Sequence, residues 1–406
     1  MISRTDRQKQ GIWKWIQAGG RGLLCYCTGF GKTYTAAMAI KSFLKHKPDG
    51  RVLISVPTEI LKQQWVESLV KFDIFFNCQV EIINTIVKHQ WDIDFLIIDE
   101  IHGTPTTSFK YIFTNVNYEL LLGLTGTLER LDGKEEFIKK FCPVVDTVSI
   151  EEAVANGWLA QYNEYKVMID VDLTEYKELD RKFNGYFAYF NYDFNVAMKC
   201  ATDVIYRNTY AKKLGLNHRD VTAMAMDWMR CMRLRKEFVM SHPKKIEIAH
   251  KILEHRQDKK CITFSATIKD AEKIKYGAVL SSKQTKKKNK ITLEEFNSQM
   301  WGVLNTSKAA DVGADVAGLS VGIILSGDSS SIRKNQRRGR ILRYEEGKVA
   351  EMFTLVIKGT VENSWYNNAS NSEYITIDED QLDDVLNYRP IQTRQRNNVQ
   401  NIEYRF

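Results

Sequence analysis

Proline is scarce in this chain, with six among 406 residues, and no apolar run approaches the roughly 20 residues that a bilayer-spanning helix requires. A collagen-like, fibrous or wholly disordered chain is therefore excluded, as is an integral membrane protein built on helices. The amino-terminal MISRTDRQKQ lacks an apolar core, so a secretory signal is not expected. Cysteine is sparse too: Cys25, Cys27, Cys78, Cys142, Cys200, Cys231 and Cys261 are odd in number, lie mostly inside apolar runs and form no C-x-x-C pair. Neither a zinc site nor a disulfide framework is expected, and a reducing cytosol is the simplest setting. Nothing repeats at a period of 20–50 residues.

What is present is ordinary in amount. A hydrophobic fraction of 44% with 27% charged residues is that of a soluble globular chain. Its length exceeds what one core usually supports, so two compact domains are expected. Lysine and arginine exceed aspartate and glutamate by 58 − 50 = +8. That balance is compatible with a polyanionic partner without demanding one.

Short β-branched runs alternate with helical periods from residue 21 onward. LLCYC (23–27), VLISV (52–56), VEII (80–83), DFLIID (94–99) and LLGLTG (121–126) read as buried strands, with helices over 34–46 and 59–72. The alternation stops near 145. Residues 165–240 read as mostly helical, and the pattern resumes with a helix at 244–256, strands at 261–266, 321–326 and 351–357, and a helix at 331–343. The expectation is an α/β fold: a domain over 1–150, a linker and helical insertion over 151–240, a second domain over 241–370 and a polar tail over 371–406 bearing Arg389, Arg394, Arg396 and Arg405.

Three segments carry chemistry. TGFGKT (28–33) lies where a strand gives way to a helix. Gly29 and Gly31 let backbone N–H groups converge on phosphate oxygens, Lys32 can reach the β- and γ-phosphates, and the Thr33 hydroxyl can ligate Mg²⁺. FLIIDEIH (95–102) delivers Asp99 and Glu100 at the carboxyl end of an apolar strand, where open α/β sheets bind ligands. Asp99 can hold a Mg²⁺ shell and Glu100 can orient or deprotonate an attacking water, with His102 as a coupler between domains. In QRRGRILR (336–343), Gln336, Arg340 and Arg343 share one helical face and Arg337 lies beside it. That face can meet a phosphate arriving from elsewhere, or it can be a solvated basic surface.

Taken together, these segments resemble the superfamily 2 helicases and translocases, in the right order throughout. Gln8 resembles the adenine-recognising glutamine ahead of motif I, TGFGKT resembles motif I, with Thr28, Gly29, Gly31, Lys32 and Thr33 as its nucleotide-binding residues, and DEIH (99–102) resembles motif II. VPTEILKQQW (56–65) resembles motif Ia, with Thr58 implied as a strand contact; INTI (83–86) implies the same for Thr85. LTGTL (124–128) resembles motif III, and FSAT (264–267) resembles motif IV, bringing Ser265 into the implied strand-contact set. TSKAADVGADV (306–316) resembles motif V, which adds Thr306 to that set and puts Asp315 on the nucleotide side; QRRGRILR resembles motif VI, with Arg337 also implied at the nucleotide. The resemblance implies two RecA-like lobes with ATP and Mg²⁺ between them and DNA, forked or branched, as partner, with RNA as the alternative; a monomer or weak oligomer is expected. GLTGTLER (123–130) and GKVAEMFTLVIKGTVENSW (347–365) look closest to phage-type branch-migration helicases of the UvsW/XPB-like branch. A separate duplex-recognition domain ahead of Gln8 is not expected.

Four further features stay open. The aromatics Phe183, Tyr186, Phe187, Tyr189, Phe190, Tyr192 and Phe194 either pack helices against the first lobe, the favoured reading, or stack unpaired bases. Met224, Met226, Met229 and Met232 read as adaptable core, with Arg230, Arg233, Arg235 and Lys236 beside them as candidates for a nucleic-acid channel. Lys286, Lys287, Lys288 and Lys290 read as a solvated loop. His242, His250 and His255 have no metal-ligand company.

Overall fold

Runs without a polar side chain become strands covered on both faces, as parallel sheets require. The computed structural model describes residues 2–104, 108–128, 133–307, 316–327, 331–345, 347–368 and 374–390. In the first lobe, helix α1 (Arg4–Gln17) precedes β1 (Arg21–Tyr26), α2 (Lys32–His46), β2 (Val52–Val56), α3 (Glu59–Lys71), β3 (Cys78–Ile82), β4 (Phe95–Asp99), β5 (Leu120–Thr125) and β6 (Val144–Val148). The strands are parallel in the order β3-β2-β4-β5-β1-β6, and every residue of β2 and β4 is buried. Chain order jumps between β1 and its neighbours, so the carboxyl ends of β4, β5 and β1 lie side by side: Asp99 is level with Leu124, and Cys25 with Thr125. A crevice outside such strand ends is where this architecture binds ligands.

The second lobe has seven parallel strands. They are β7 (Gln161–Ile169), β8 (Lys260–Ser265), β9 (Ala278–Leu280), β10 (Gly302–Ser307), β11 (Val321–Ile324), β12 (Val349–Ile357) and β13 (Ile375–Asp378), in the order β9-β10-β8-β11-β12-β7-β13. The strand β7 corrects the expectation of a helical stretch from 165. It pairs with β12 over its full length, Gln161 beside Val349 through Ile169 beside Ile357. Its sequence, QYNEYKVMI, hides the strand because Glu164 is a buried charge, 3.0 Å from the Arg338 guanidinium, where a buried parallel strand is normally apolar.

Between β7 and the rest of the second lobe lie α4 (Thr174–Ala188), α5 (Phe194–Thr202), α6 (Val204–Leu214) and α7 (His218–Met240). Phe183, Phe187 and Phe190 surround Trp228 of α7 at centroid distances of 5.8, 5.5 and 6.4 Å. The aromatics thus build a core inside the insertion rather than a contact with the first lobe. Tyr189 and Tyr192 are the exception, with 52% and 64% of their surfaces exposed, whereas Phe194, 50% exposed, packs against Trp228 at 5.5 Å. Met224, Met229 and Met232 pack on the same core, while Met226 is exposed. Arg235 is tied to Asp180 at 2.6 Å and lies 4.1 Å from the Phe183 ring, so its charge supports the bundle and does not line a channel.

The longer helices of the second lobe are α8 (Pro243–Glu254), α9 (Lys286–Ser298) and α10 (Ser331–Ile341). The lysine cluster expected as a loop begins α9, whose first turn is capped by Thr285 accepting from the Lys288 N–H at 3.2 Å.

Candidate nucleotide cleft at the lobe boundary

After β1 the chain turns at Gly29 and Gly31, with φ of +92° and +100°, a region that glycine enters without steric cost. Helix α2 then starts with Gly31 as its cap, and no side chain satisfies its first N–H groups. Among the described residues the buried Thr28 hydroxyl finds no hydrogen-bond partner. Lys32 reaches back into the loop with a long bond, 3.4 Å, to the Tyr26 carbonyl. Unsatisfied amides, an orphaned hydroxyl and a loosely held ammonium together form a cradle for an oxyanion.

Strand β4 brings two carboxylates to this cradle. The Trp65 indole donates to Asp99 Oδ2 at 2.9 Å, and the Glu100 N–H donates to Asp99 Oδ1 at 3.0 Å. Glu100 itself stands at φ +50°, a left-handed conformation rare for a residue with a side chain. Burial, together with the adjacent Glu100 carboxylate, pushes Asp99 up to about 6. Burial pushes Glu100 the same way, but Lys32, the hydrogen bond from His102 and Arg340 outweigh it and hold Glu100 below the usual range. His102 Nδ1 lies 3.0 Å from Thr125 Oγ1 and 3.2 Å from Glu100 Oε2. Because the Thr125 hydroxyl donates to the Thr127 carbonyl at 2.9 Å, its oxygen accepts from His102, which places the imidazole proton on Nδ1. Among the described residues no group of three or more His, Cys, Asp or Glu could hold a metal alone. One carboxylate, Asp99, and one hydroxyl, Thr33, suit Mg²⁺, which fills its shell with water and substrate phosphates.

The glutamine expected at the base is in place. Gln8 is buried and its amide donates to the Phe30 carbonyl at 2.9 Å. Arg4, absent from the sequence reading, donates to Phe30 O at 2.8 Å and also to Gly29 O. A side chain at Gly31 would come 2.7 Å from Gln8 Nε2. Both residues ride on α1, which is fastened by Asp146: its carboxylate takes Arg7 at 2.5 Å, Lys14 at 2.6 Å and the Tyr26 hydroxyl at 2.7 Å. Burial alone would raise the Asp146 pKa, but these three partners outweigh it and lower it. Asp146→Asn removes the charge and strands Arg7, at a cost of about 3 kcal/mol in unfolding free energy at neutral pH. A carboxyl lowered in the fold contributes stability above its unfolded pKa, about 3.9, and loses it as pH falls below that. Denaturant melts at pH 7 and pH 3 should therefore show a gap between variant and wild type that shrinks in acid.

The second lobe closes the cleft with α10. A Cβ at Gly339 would fall 2.5 Å from the Thr28 carbonyl oxygen, and one at Gly29 would fall 2.9 Å from the Gly339 carbonyl oxygen. Only two glycines allow this approach of backbone to backbone. Trp158 and Phe30 extend the contact at 5.4 Å, and the Ala160 N–H donates to the Leu342 carbonyl at 3.0 Å. Arg340 is buried and close enough to lower Glu100. Arg343 is lowered by burial and then by Arg4 across the boundary. Gln336 is half-buried on the same helix.

Other expected residues sit elsewhere. Arg337 stacks 4.8 Å from the Phe264 ring and donates to the Ser326 carbonyl at 3.1 Å, so it faces the interior of the second lobe and not the cradle. Ser265 and Thr306, implied strand contacts, are buried in β8 and β10; the Thr306 hydroxyl donates to the Thr263 carbonyl at 2.8 Å, which takes both off the surface. Thr58 caps α3, accepting from Leu61 N–H at 3.3 Å, and Thr85 is exposed on the turn at 83–86. Asp315, Glu129, Arg130 and the arginines at 394, 396 and 405 lie outside the described residues. Gly339, Trp65, Arg4 and Asp146 were missed. For Gly339 a signal existed in its place between two arginines; the others have none in a single sequence.

Residues 2–93 match the family described as "Type III restriction enzyme, res subunit", and residues 244–345 match "Helicase conserved C-terminal domain". The "DNA 3'-5' translocase XPB2" of Sulfurisphaera tokodaii is 26% identical over 385 residues, 89% of this chain and 83% of that protein. "Putative helicase 22" of a Sulfolobus islandicus filamentous virus is 22% identical over 81% of this chain and 59% of its own length. The Pyrococcus furiosus Hef helicase domain has the same fold: it superposes with a TM-score of 0.56 at 17% identity, over 91% of this chain and the whole of that one.

Proposed function

We propose, on the premise that this chain is a superfamily 2 helicase with two RecA-like domains, that it is an ATP-driven DNA helicase or translocase acting on forked and junction DNA in replication, recombination or repair. The observation that carries the motor reading is the seating of Gly339 on Thr28, with Arg340 within electrostatic reach of Glu100. Groups from both lobes then surround one anion site, and neither lobe can complete it alone.

In this reading Lys32 exchanges its long bond to Tyr26 for the β- and γ-phosphates, and Gln8 and Arg4 hold the loop beneath them. Thr33 and Asp99 would hold Mg²⁺, which when bound would supply charge neutralisation at the phosphate oxygens. Glu100, ionised at neutral pH, orients the attacking water and takes its proton, while His102 Nδ1–H steadies the carboxylate. Arg340 and Arg343 receive the charge that develops on the γ-phosphate. Once phosphate leaves, these arginines lose one anionic partner at the boundary, which weakens the contact between the lobes and lets them part. A strand gripped differently in the two states is then moved in one direction. Tyr189 and Tyr192, exposed at the edge of the insertion, are surfaces on which unpaired bases would stack, whereas Phe194, though half exposed, packs against Trp228 at 5.5 Å.

DNA rather than RNA is supported by the similarity to a DNA translocase. The match to a restriction-enzyme subunit supports a second reading, translocation along duplex without strand separation. One comparison tests both: ATPase stimulation by single-stranded, duplex, forked and four-way-junction DNA and by RNA, each with a salt titration, beside strand- and triplex-displacement assays. Forked and junction DNA should stimulate most, and apparent affinity should fall as salt rises. Stimulation by RNA alone would overturn the DNA assignment, and triplex displacement without strand displacement would favour the duplex motor.

A further inference from the structure

Helix α3 was read from its sequence only as a carrier of a strand contact at Thr58, yet it also reaches the nucleotide cleft from below. Trp65, 1% exposed, directs its indole N–H at Asp99 Oδ2 over 2.9 Å, and Asp99 itself is 8% exposed. Trp is a donor only, so the bond has one polarity: the carboxylate oxygen accepts. The other oxygen, Oδ1, is taken by the Glu100 N–H at 3.0 Å. One bond to each oxygen fixes the carboxylate plane.

This arrangement is unusual in its source. The Glu100 bond comes from the next residue and travels with the strand end, whereas the Trp65 bond comes from a separate helix seated on the sheet. Leu69, one turn further along α3, is fully buried and anchors the helix in the same core as Trp65. An indole this deeply packed could have been replaced by any large apolar side chain if packing were its only task. Its single polar atom is instead aimed at Asp99, the carboxylate assigned above to a cation.

We propose that Trp65 is a positioning residue for Asp99: its indole N–H holds the carboxylate in the rotamer that receives Mg²⁺ with the nucleotide. The inference rests on the nucleotide reading of the cleft and adds α3 to the groups that set metal affinity. Hydrogen-bond partners behind a metal-binding carboxylate typically account for 10–100-fold in metal affinity.

The test is binding of a fluorescent ADP analogue as Mg²⁺ is titrated, with melting temperature recorded for each protein. In wild type, Mg²⁺ should tighten the analogue. Trp65→Phe, which removes the donor together with part of the buried ring, should need about tenfold more Mg²⁺ for half-maximal tightening, with affinity in EDTA unchanged. Trp65→His, which retains a ring N–H, should recover part of that shift and serves if the phenylalanine variant folds poorly. Leu69→Ala removes packing from the same helix without touching a donor; it should lower the melting temperature and leave the Mg²⁺ midpoint at the wild-type value. A Trp65→Phe midpoint equal to wild type would overturn the proposal, as would an equal shift in Leu69→Ala, which would make the effect one of packing. Wild type that binds the analogue without any Mg²⁺ dependence would instead sink the nucleotide–metal reading on which the proposal stands.

Discussion

Arg340→Ala should lower nucleic-acid-stimulated ATP turnover about 10³-fold or more while changing the affinity for a non-hydrolysable ATP analogue less than tenfold. An arginine that meets the transferring phosphoryl group from a second structural unit supplies roughly 10³–10⁵ in rate in comparable reactions, because the positive fork matters most when charge develops on the equatorial oxygens. Arg340 is placed for that role: it is buried at the lobe boundary and its field reaches Glu100. Arg340→Lys keeps the charge but not the planar fork, so only a small part of the loss should return. Turnover within tenfold of wild type in Arg340→Ala would show that the cation supports folding or closure and takes no part in the reaction. Loss of analogue binding by a similar factor would show ground-state binding instead.

The second large effect is expected from a residue with no side chain. Gly339→Ala inserts a methyl group 2.5 Å from the Thr28 carbonyl oxygen, and that obstacle is backbone of the phosphate loop, which cannot swing aside as a side-chain end would. The lobes must separate by a fraction of an ångström to about one ångström. Displacement of catalytic groups by that amount costs about 10²-fold in rate, so turnover should fall by roughly that factor with the melting temperature nearly unchanged, since each lobe keeps its own sheet. Gly185→Ala, in the middle of α4 with open space around it, is the matched control and should be neutral in rate. If Gly339→Ala turns over normally, the close approach of α10 to the phosphate loop is not needed for chemistry, and the two-lobe scheme loses its main support.

The parts of this site that were legible in the sequence are those whose chemistry is local. TGFGKT announces itself because the turn, the positive-φ glycines and the start of α2 are consecutive, and a phosphate cradle requires that contiguity. Asp99 and Glu100 are legible because an apolar strand places whatever follows it at the sheet's carboxyl edge. The three-residue spacing of Arg340 and Arg343 predicts one helical face, but α10 ends at Ile341 and Arg343 lies beyond it, bridged to Leu159; the neighbouring Arg337 illustrates a second limit. Periodicity says which side chains share a face but not what that face meets, and Arg337 turns to Phe264 and the Ser326 carbonyl.

By itself, then, the amino-acid order determined the alternation of strands and helices, the phosphate loop, the acidic strand end and the arginine helix, because each depends on neighbours within a few residues. Only the tertiary structure decided that Glu164 is a buried partner of Arg338 and so makes 161–169 a strand, that Ser265 and Thr306 are inside, that Trp65 stands behind Asp99, and that Gly339 lies on Thr28. These depend on segments far apart in the chain, where the energy of a polar group is set by the partner that folding brings to it and not by the residues beside it.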